Sequence, residues 1–163
     1  MLAAHRILGS VALLFVASCA DLGPATSTDT VLRTDSARYT ATTGGFSLLS
    51  VRLITTYRNP ADTTVTLERC TPTTPYPIYF VQLIAPASPE GAAYNPDWAC
   101  VGHNNPIVVA PRAVRTDTII LHGPTAFDNT TGKYVGVIAG TFRISYGGQQ
   151  SNAFSIVLPP GVP

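Results

Sequence analysis

From residue 29 onward, apolar and polar positions alternate in short runs, the period-two signature of half-buried strands. The clearest run is Leu48 to Tyr57, where Leu49, Val51, Leu53, Thr55 and Tyr57 share one face and Ser50, Arg52 and Thr56 the other. Thr63 to Arg69 sets Val65 and Leu67 against Thr64, Thr66 and Glu68. Ile78 to Ile84 alternates less cleanly, with Tyr79, Val81 and Leu83 opposed to Phe80 and Ile84. Further strands are expected at Val31 to Thr40, Ile107 to Val109, Ala113 to Leu121, Val135 to Tyr146 and Ser151 to Leu158. Between them lie turn signals: Asn59-Pro60-Ala61-Asp62, Asp128-Asn129-Thr130-Thr131-Gly132, and Gly147-Gly148 leading into the last strand. Helical periodicity is not sustained in any window after the N-terminal apolar stretch. Seven or eight short strands with frequent turns predict an all-β fold, an antiparallel β-sandwich.

Residues 85–106 break the pattern, with four prolines and several Asn and Gly. Composition agrees with strands and turns. Of the 163 residues only 12% are charged, against roughly 25% in ordinary soluble domains. Thr, Pro and Gly fill the difference, a mixture poor for helices because Thr is β-branched and Pro lacks a donor. A formal net charge of +1 excludes the strongly basic face that nucleic acid requires, so no nucleic-acid partner is expected.

The N-terminus follows a different logic. A weakly positive start containing Arg6 precedes the apolar stretch Ile7 to Ala17, too short for the roughly 20 residues that cross a bilayer. The run Val16-Ala17-Ser18-Cys19 resembles the lipobox of bacterial lipoproteins: a branched aliphatic, two small residues, then Cys. That resemblance implies diacylglycerol on the Cys19 sulfur, cleavage before Cys19 and acylation of the new amino group. Two or three acyl chains, at about 0.8 kcal/mol per buried CH₂, anchor a protein stably where one is marginal. The chain then divides into a signal peptide at 1–18, a flexible tether at 19–28, one domain at 29–158 and a tail at 159–163. The expected location is the cell envelope, lipid-anchored to a membrane. Asp21 is displaced by one from the position of the inner-membrane retention signal, which favours the outer membrane.

Within the domain, Val51–Tyr57-x-Asn59-Pro-x-Asp62-x-x-Val65-x-Leu67, then Val109-x-Pro111, then Gly140-Thr-Phe142-Arg-Ile144 resemble the immunoglobulin-like domains of bacterial envelope proteins. The same layout occurs in the family named after a Bacillus intracellular proteinase inhibitor. The resemblance spans roughly residues 48–158. It implies an immunoglobulin-like sandwich, and it offers inhibition of a proteinase by analogy only. The two remaining cysteines and the Pro-rich insert lie outside that pattern.

With Cys19 lipidated, Cys70 and Cys100 remain, an even number for an oxidising compartment, and a structural disulfide is expected between them. It would bracket the insert and remove about 3.7 kcal/mol of loop entropy from the unfolded chain. The C-x-x-C spacing of a redox pair is absent.

Catalytic patterns are missing from the sequence. There is no Gly-x-Ser-x-Gly elbow, and Glu68 and Glu90 lack a suggestive context. His103 and His122 lack neighbours with metal-ligand spacing. A non-enzymatic protein without cofactor or metal is expected. Tyr94, Trp98 and His103, in and beside the insert, are the candidate binding residues, because aromatics on a pinned loop stack on sugars or anchor partners. Two roles follow: a domain binding an envelope protein or supporting an envelope assembly, or a module for carbohydrate, glycan or peptide. The sequence leaves oligomeric state open.

Overall fold

The computed structural model describes residues 31–43, 48–96 and 105–162. Among these the chain forms thirteen strand segments and no helix. In order they are β1 (Leu32–Thr34), β2 (Arg38–Thr40), β3 (Thr42–Thr43), β4 (Leu49–Arg58), β5 (Val65–Leu67), β6 (Phe80–Ala85) and β7 (Ile107–Val109). They continue as β8 (Val114–Gly123), β9 (Ala126–Asp128), β10 (Lys133–Val135), β11 (Gly140–Tyr146), β12 (Gln149–Gln150) and β13 (Phe154–Val157).

The main sheets are two. In the first, β4 pairs with β8 in an unbroken antiparallel ladder from Leu49↔Gly123 to Arg58↔Val114, and β1 and β3 pair with the other edge of β4. In the second, β11 stands between β6 and β13, with β12 beside β11 and β2 beside β13. Two short ribbons, β5–β7 and β9–β10, complete the fold. Alternation along β4 is as the sequence predicts: Leu49, Val51, Leu53, Thr55 and Tyr57 are buried, and the intervening residues are not. The apolar faces of both sheets enter one cluster. Leu32, Leu53, Ile119 and Leu121 come from the first, and Phe142, Ile144, Phe154 and Ile156 from the second, each no more than 1% exposed. Tyr57 and Tyr146 meet edge to face across it, ring centroids 6.3 Å apart.

Strands are more numerous and shorter than the seven or eight expected, for identifiable reasons. The run Val31–Thr40 breaks because the Asp35 carboxylate accepts from the Ile54 amide (2.9 Å) and the Tyr39 hydroxyl (2.5 Å), turning the chain out of the first sheet. It rejoins as β2, which pairs parallel with β13, the one parallel pair among the named strands, and an isolated parallel bridge joins Ala92 to Val137. The run Val135–Tyr146 breaks at 136–139 because Val137 bonds instead to Gly91 and Ala93. A side chain at Gly136 would lie 2.8 Å from the Ala93 backbone. The predicted Gly147-Gly148 hairpin is present. Both residues have positive φ (53° and 80°), which suits the tight connection between Tyr146 and Gln149.

Candidate functional site

Described residues of the insert line a cavity with the domain. A cavity of about 300 Å³ is lined by Cys70, Tyr76, Tyr79, Phe80, Tyr94 and Pro96, among others. Tyr76 reaches it from the turn before β6 and donates to the Pro96 carbonyl at 3.1 Å. Cys70, just past β5, is 2% exposed. The segment around Tyr94 is fixed by two isolated bridges, Ala92 with Val137 and Asn95 with His122.

Behind the cavity lies a buried polar cluster absent from the sequence-level candidates. Tyr79 is 2% exposed and donates to Asp117 Oδ2 at 3.0 Å. Arg115 grips the same carboxylate with both ends of its fork, Nη2 to Oδ1 at 2.5 Å and Nε to Oδ2 at 3.0 Å. Arg115 Nη2 also donates to the Pro75 carbonyl at 2.6 Å, tying the turn before β6 to β8. Burial, then the neighbouring Asp117 charge, pushes the Tyr79 phenol well above its ordinary range, so it remains a donor. These groups satisfy one another, and the arrangement holds two elements together.

Of the three expected binding residues, Tyr94 is part of the core. It is 5% exposed, donates to the Ile138 carbonyl at 2.7 Å and meets Phe142 edge to face at 5.8 Å. The bridges of its neighbours Ala92 to Val137 and Asn95 to His122 draw it inward, where it also lines the cavity. Trp98 and His103 lie outside the described residues, as do Cys19, Cys100, the signal peptide and the tether. His122 sits on β8 with Nδ1 3.1 Å from Ser50 Oγ.

The Asp128 turn joins β9 to β10, as expected. Its two carboxylate oxygens accept from the Thr130 amide (2.8 Å) and the Thr131 hydroxyl (2.7 Å), which lowers its pKa. Glu68 and Glu90 are both exposed, and Glu90 accepts from Ser88. No three His, Cys, Asp or Glu side chains among the described residues cluster to hold a metal. The exposed large apolar side chains include Phe80 (61%), Val108 (65%), Val114 (60%), Phe127 (51%) and Tyr134 (55%).

A pH dependence follows from the buried phenols. Burial raises Tyr94 to about 12, against the ordinary 10.0. A folded pKa above the unfolded one gives stability that is complete below pH 10 and lost as pH rises toward 12, because only the unfolded chain releases the proton. Each such group contributes a slope of at most about 1.4 kcal/mol per pH unit. Urea midpoints should therefore hold steady from pH 8 to 10 and fall at pH 11, with a shallower fall in Tyr94→Phe. Identical slopes in the two proteins would remove Tyr94 from this account.

No family model, curated protein or solved structure matches the chain.

Proposed function

We propose that the chain is a lipid-anchored cell-envelope protein whose immunoglobulin-like β-sandwich domain acts by binding another protein. The observation that carries the second half is a division of labour among side chains. Asp117, Arg115, Tyr79, Tyr94 and Asp128 are engaged in holding the fold, while large apolar side chains such as Val108, Phe127 and Tyr134 stand in solvent. Exposed apolar groups of this kind are the raw material of protein contacts. A sandwich is supported by the single core fed from two sheets. It is supported too by the chain's passage between Thr34 and Arg38 from one sheet to the other. The lipobox at 16–19 supports the anchor.

Within this reading Cys70 pairs with Cys100 and ties the insert down. Cys70 and Pro96 line the same cavity, and the four steps along the chain from Pro96 to Cys100 span at most about 14 Å. Reduction, or Cys70→Ala with Cys100→Ala, should cost about 2–4 kcal/mol. The core strands β4, β11 and β13 should survive. A denaturation midpoint unchanged by reductant, in protein made in an oxidising compartment, would count against the bridge. Carbohydrate or peptide binding through the insert aromatics is weakened by the burial of Tyr94.

The proposal is tested by expressing the chain and Cys19→Ser in a bacterial host. The parent should incorporate labelled palmitate and cross-link from position 127 or 134 to one discrete envelope protein. Cys19→Ser should incorporate none and accumulate as precursor. Palmitate labelling that persists in Cys19→Ser, or a parent chain without any protein adduct, would contradict it.

A further inference from the structure

The chain enters the domain at one end of β4, and that end carries an exposed apolar turn. The Arg58 amide donates to the Val31 carbonyl at 2.7 Å, so the N-terminal segment arrives beside Asn59. Across β4 from β1, the turn between β7 and β8 lies at the same level. Arg58 pairs with Val114, and the Asn59 amide donates to the Ala113 carbonyl at 2.9 Å. Val108, Ala110, Pro111, Arg112 and Val114 are all exposed there, Val108 by 65% and Val114 by 60%.

This turn suits a lipid interface. From Pro111 to Ala113 no backbone donor is left over: Pro111 has no N–H, the Arg112 amide donates to the Ala61 carbonyl at 3.1 Å, and the Ala113 amide to the Ala110 carbonyl at 3.2 Å. Satisfied donors matter near hydrocarbon, where an unpaired one costs most. The side chains set two valines and a proline around a cation on a long stem. Such a stem lies along apolar surface while its guanidinium stays among anionic headgroups. The acid beside Arg112 is Asp62, at 2.6 Å in a pair exposed on both sides, which solvent screens. Arg33, exposed on β1 near the same end, adds a second cation.

Position decides which surface this turn meets. Cys19 and Val31 are twelve residue steps apart, at most about 40 Å when drawn straight. The other end of β4 pairs Leu49 with Gly123, just before the β9–β10 hairpin. It lies nine steps from Arg58, about 30 Å. Seating the hairpin end on the bilayer would draw the tether out to most of its limit, whereas seating the entry end requires almost no extension.

We infer that the β7–β8 turn, through Val108, Arg112 and Val114, docks on the surface of the bilayer that holds Cys19, at the level of its anionic headgroups. The inference rests on the proposed anchor and extends it. Exposed apolar residues divide between two ends, Val108 and Val114 toward lipid, Phe127 and Tyr134 away from it toward a protein partner. Two valines and a proline bind lipid weakly, and the tether makes the contact effective by holding the turn close to the surface.

A chemical tether tests this apart from acylation. The mature chain, residues 19–163, with Cys19→Ser and an N-terminal histidine tag, is held on vesicles of phosphatidylethanolamine, phosphatidylglycerol and a nickel-chelating lipid. Photoreactive benzoylphenylalanine at position 114 should give phospholipid adducts at least tenfold above the same group at position 134. Adding Val108→Asp and Arg112→Glu should reduce the adducts from position 114 at least tenfold while leaving circular dichroism unchanged, since both side chains are exposed. Equal yields from positions 114 and 134, or indifference to the two acids in folded protein, would overturn the docking and leave the anchor standing if Cys19 takes up palmitate in cells. A parent chain that takes up no palmitate would overturn both.

Discussion

Asn59→Ala should destabilise the domain by about 3–5 kcal/mol, one of the largest effects expected from a single polar substitution here. Asn59 follows β4 directly and is 0% exposed. Its amide nitrogen donates to the carbonyls of Thr63 (2.8 Å), Ala110 (2.9 Å) and Val109 (3.3 Å), while its side-chain oxygen accepts from the Ala61 amide at 2.9 Å. One side chain thereby closes its own turn and binds it to the end of β7, between β4 and the β5–β7 ribbon. Alanine removes the donor from the buried Val109 carbonyl and the part-buried Thr63 and Ala110 carbonyls and leaves a cavity in a fully buried position, and each unsatisfied buried group costs about 1–3 kcal/mol. Asn59→Asp keeps the shape and removes the donors. It should be at least as damaging at pH 7, and milder near pH 4, where a protonated carboxyl can donate once. Urea denaturation of both variants checks this. A cost below about 1 kcal/mol in Asn59→Ala would mean that the turn holds without its staple.

Arg115→Ala is the second large effect. Asp117 is almost wholly buried, its side chain 4% exposed, and Arg115 is the cation of its ion pair. Removing the cation leaves a carboxylate with only the Tyr79 hydroxyl and releases the Pro75 carbonyl, and stripping one partner from a buried pair costs about 3–5 kcal/mol. Replacing the pair together, Arg115→Met with Asp117→Leu, removes charge and counter-charge alike and should cost much less than Arg115→Ala alone. Equal or additive losses across this cycle would show that Arg115 acts through packing along its stem and not through the carboxylate.

These two clusters mark where the sequence is informative and where it is not. The β4 alternation and the Gly147-Gly148 hairpin are legible because each is a local rule: period two for a half-buried strand, positive φ for a tight turn. The turn at Asn59 is legible as a turn. Its staple to Val109 and Ala110, fifty residues on, is set by tertiary packing that no local window contains. Asp117 left a signal that goes unnoticed in a Thr-rich strand: it shares parity with Ile119 and Leu121, so a charged residue had to point inward and be paired. Tyr94 left none. It stands among prolines and small residues, and only the bridges to Val137 and His122 decide that it enters the core. Strands are shorter and more numerous than the alternation predicts for the same reason, since the breaks at Asp35 and Gly136 involve partners distant in sequence, Ile54 and Ala93.

The single measurement that tests the central claim most directly is the intact mass of the mature chain extracted from membranes. The account predicts an N-terminus at Cys19 carrying diacylglycerol on sulfur and an acyl group on nitrogen, with both absent from Cys19→Ser. A mature chain beginning at residue 18, 20 or 21 without lipid would contradict it, and would leave an all-β domain with no anchor.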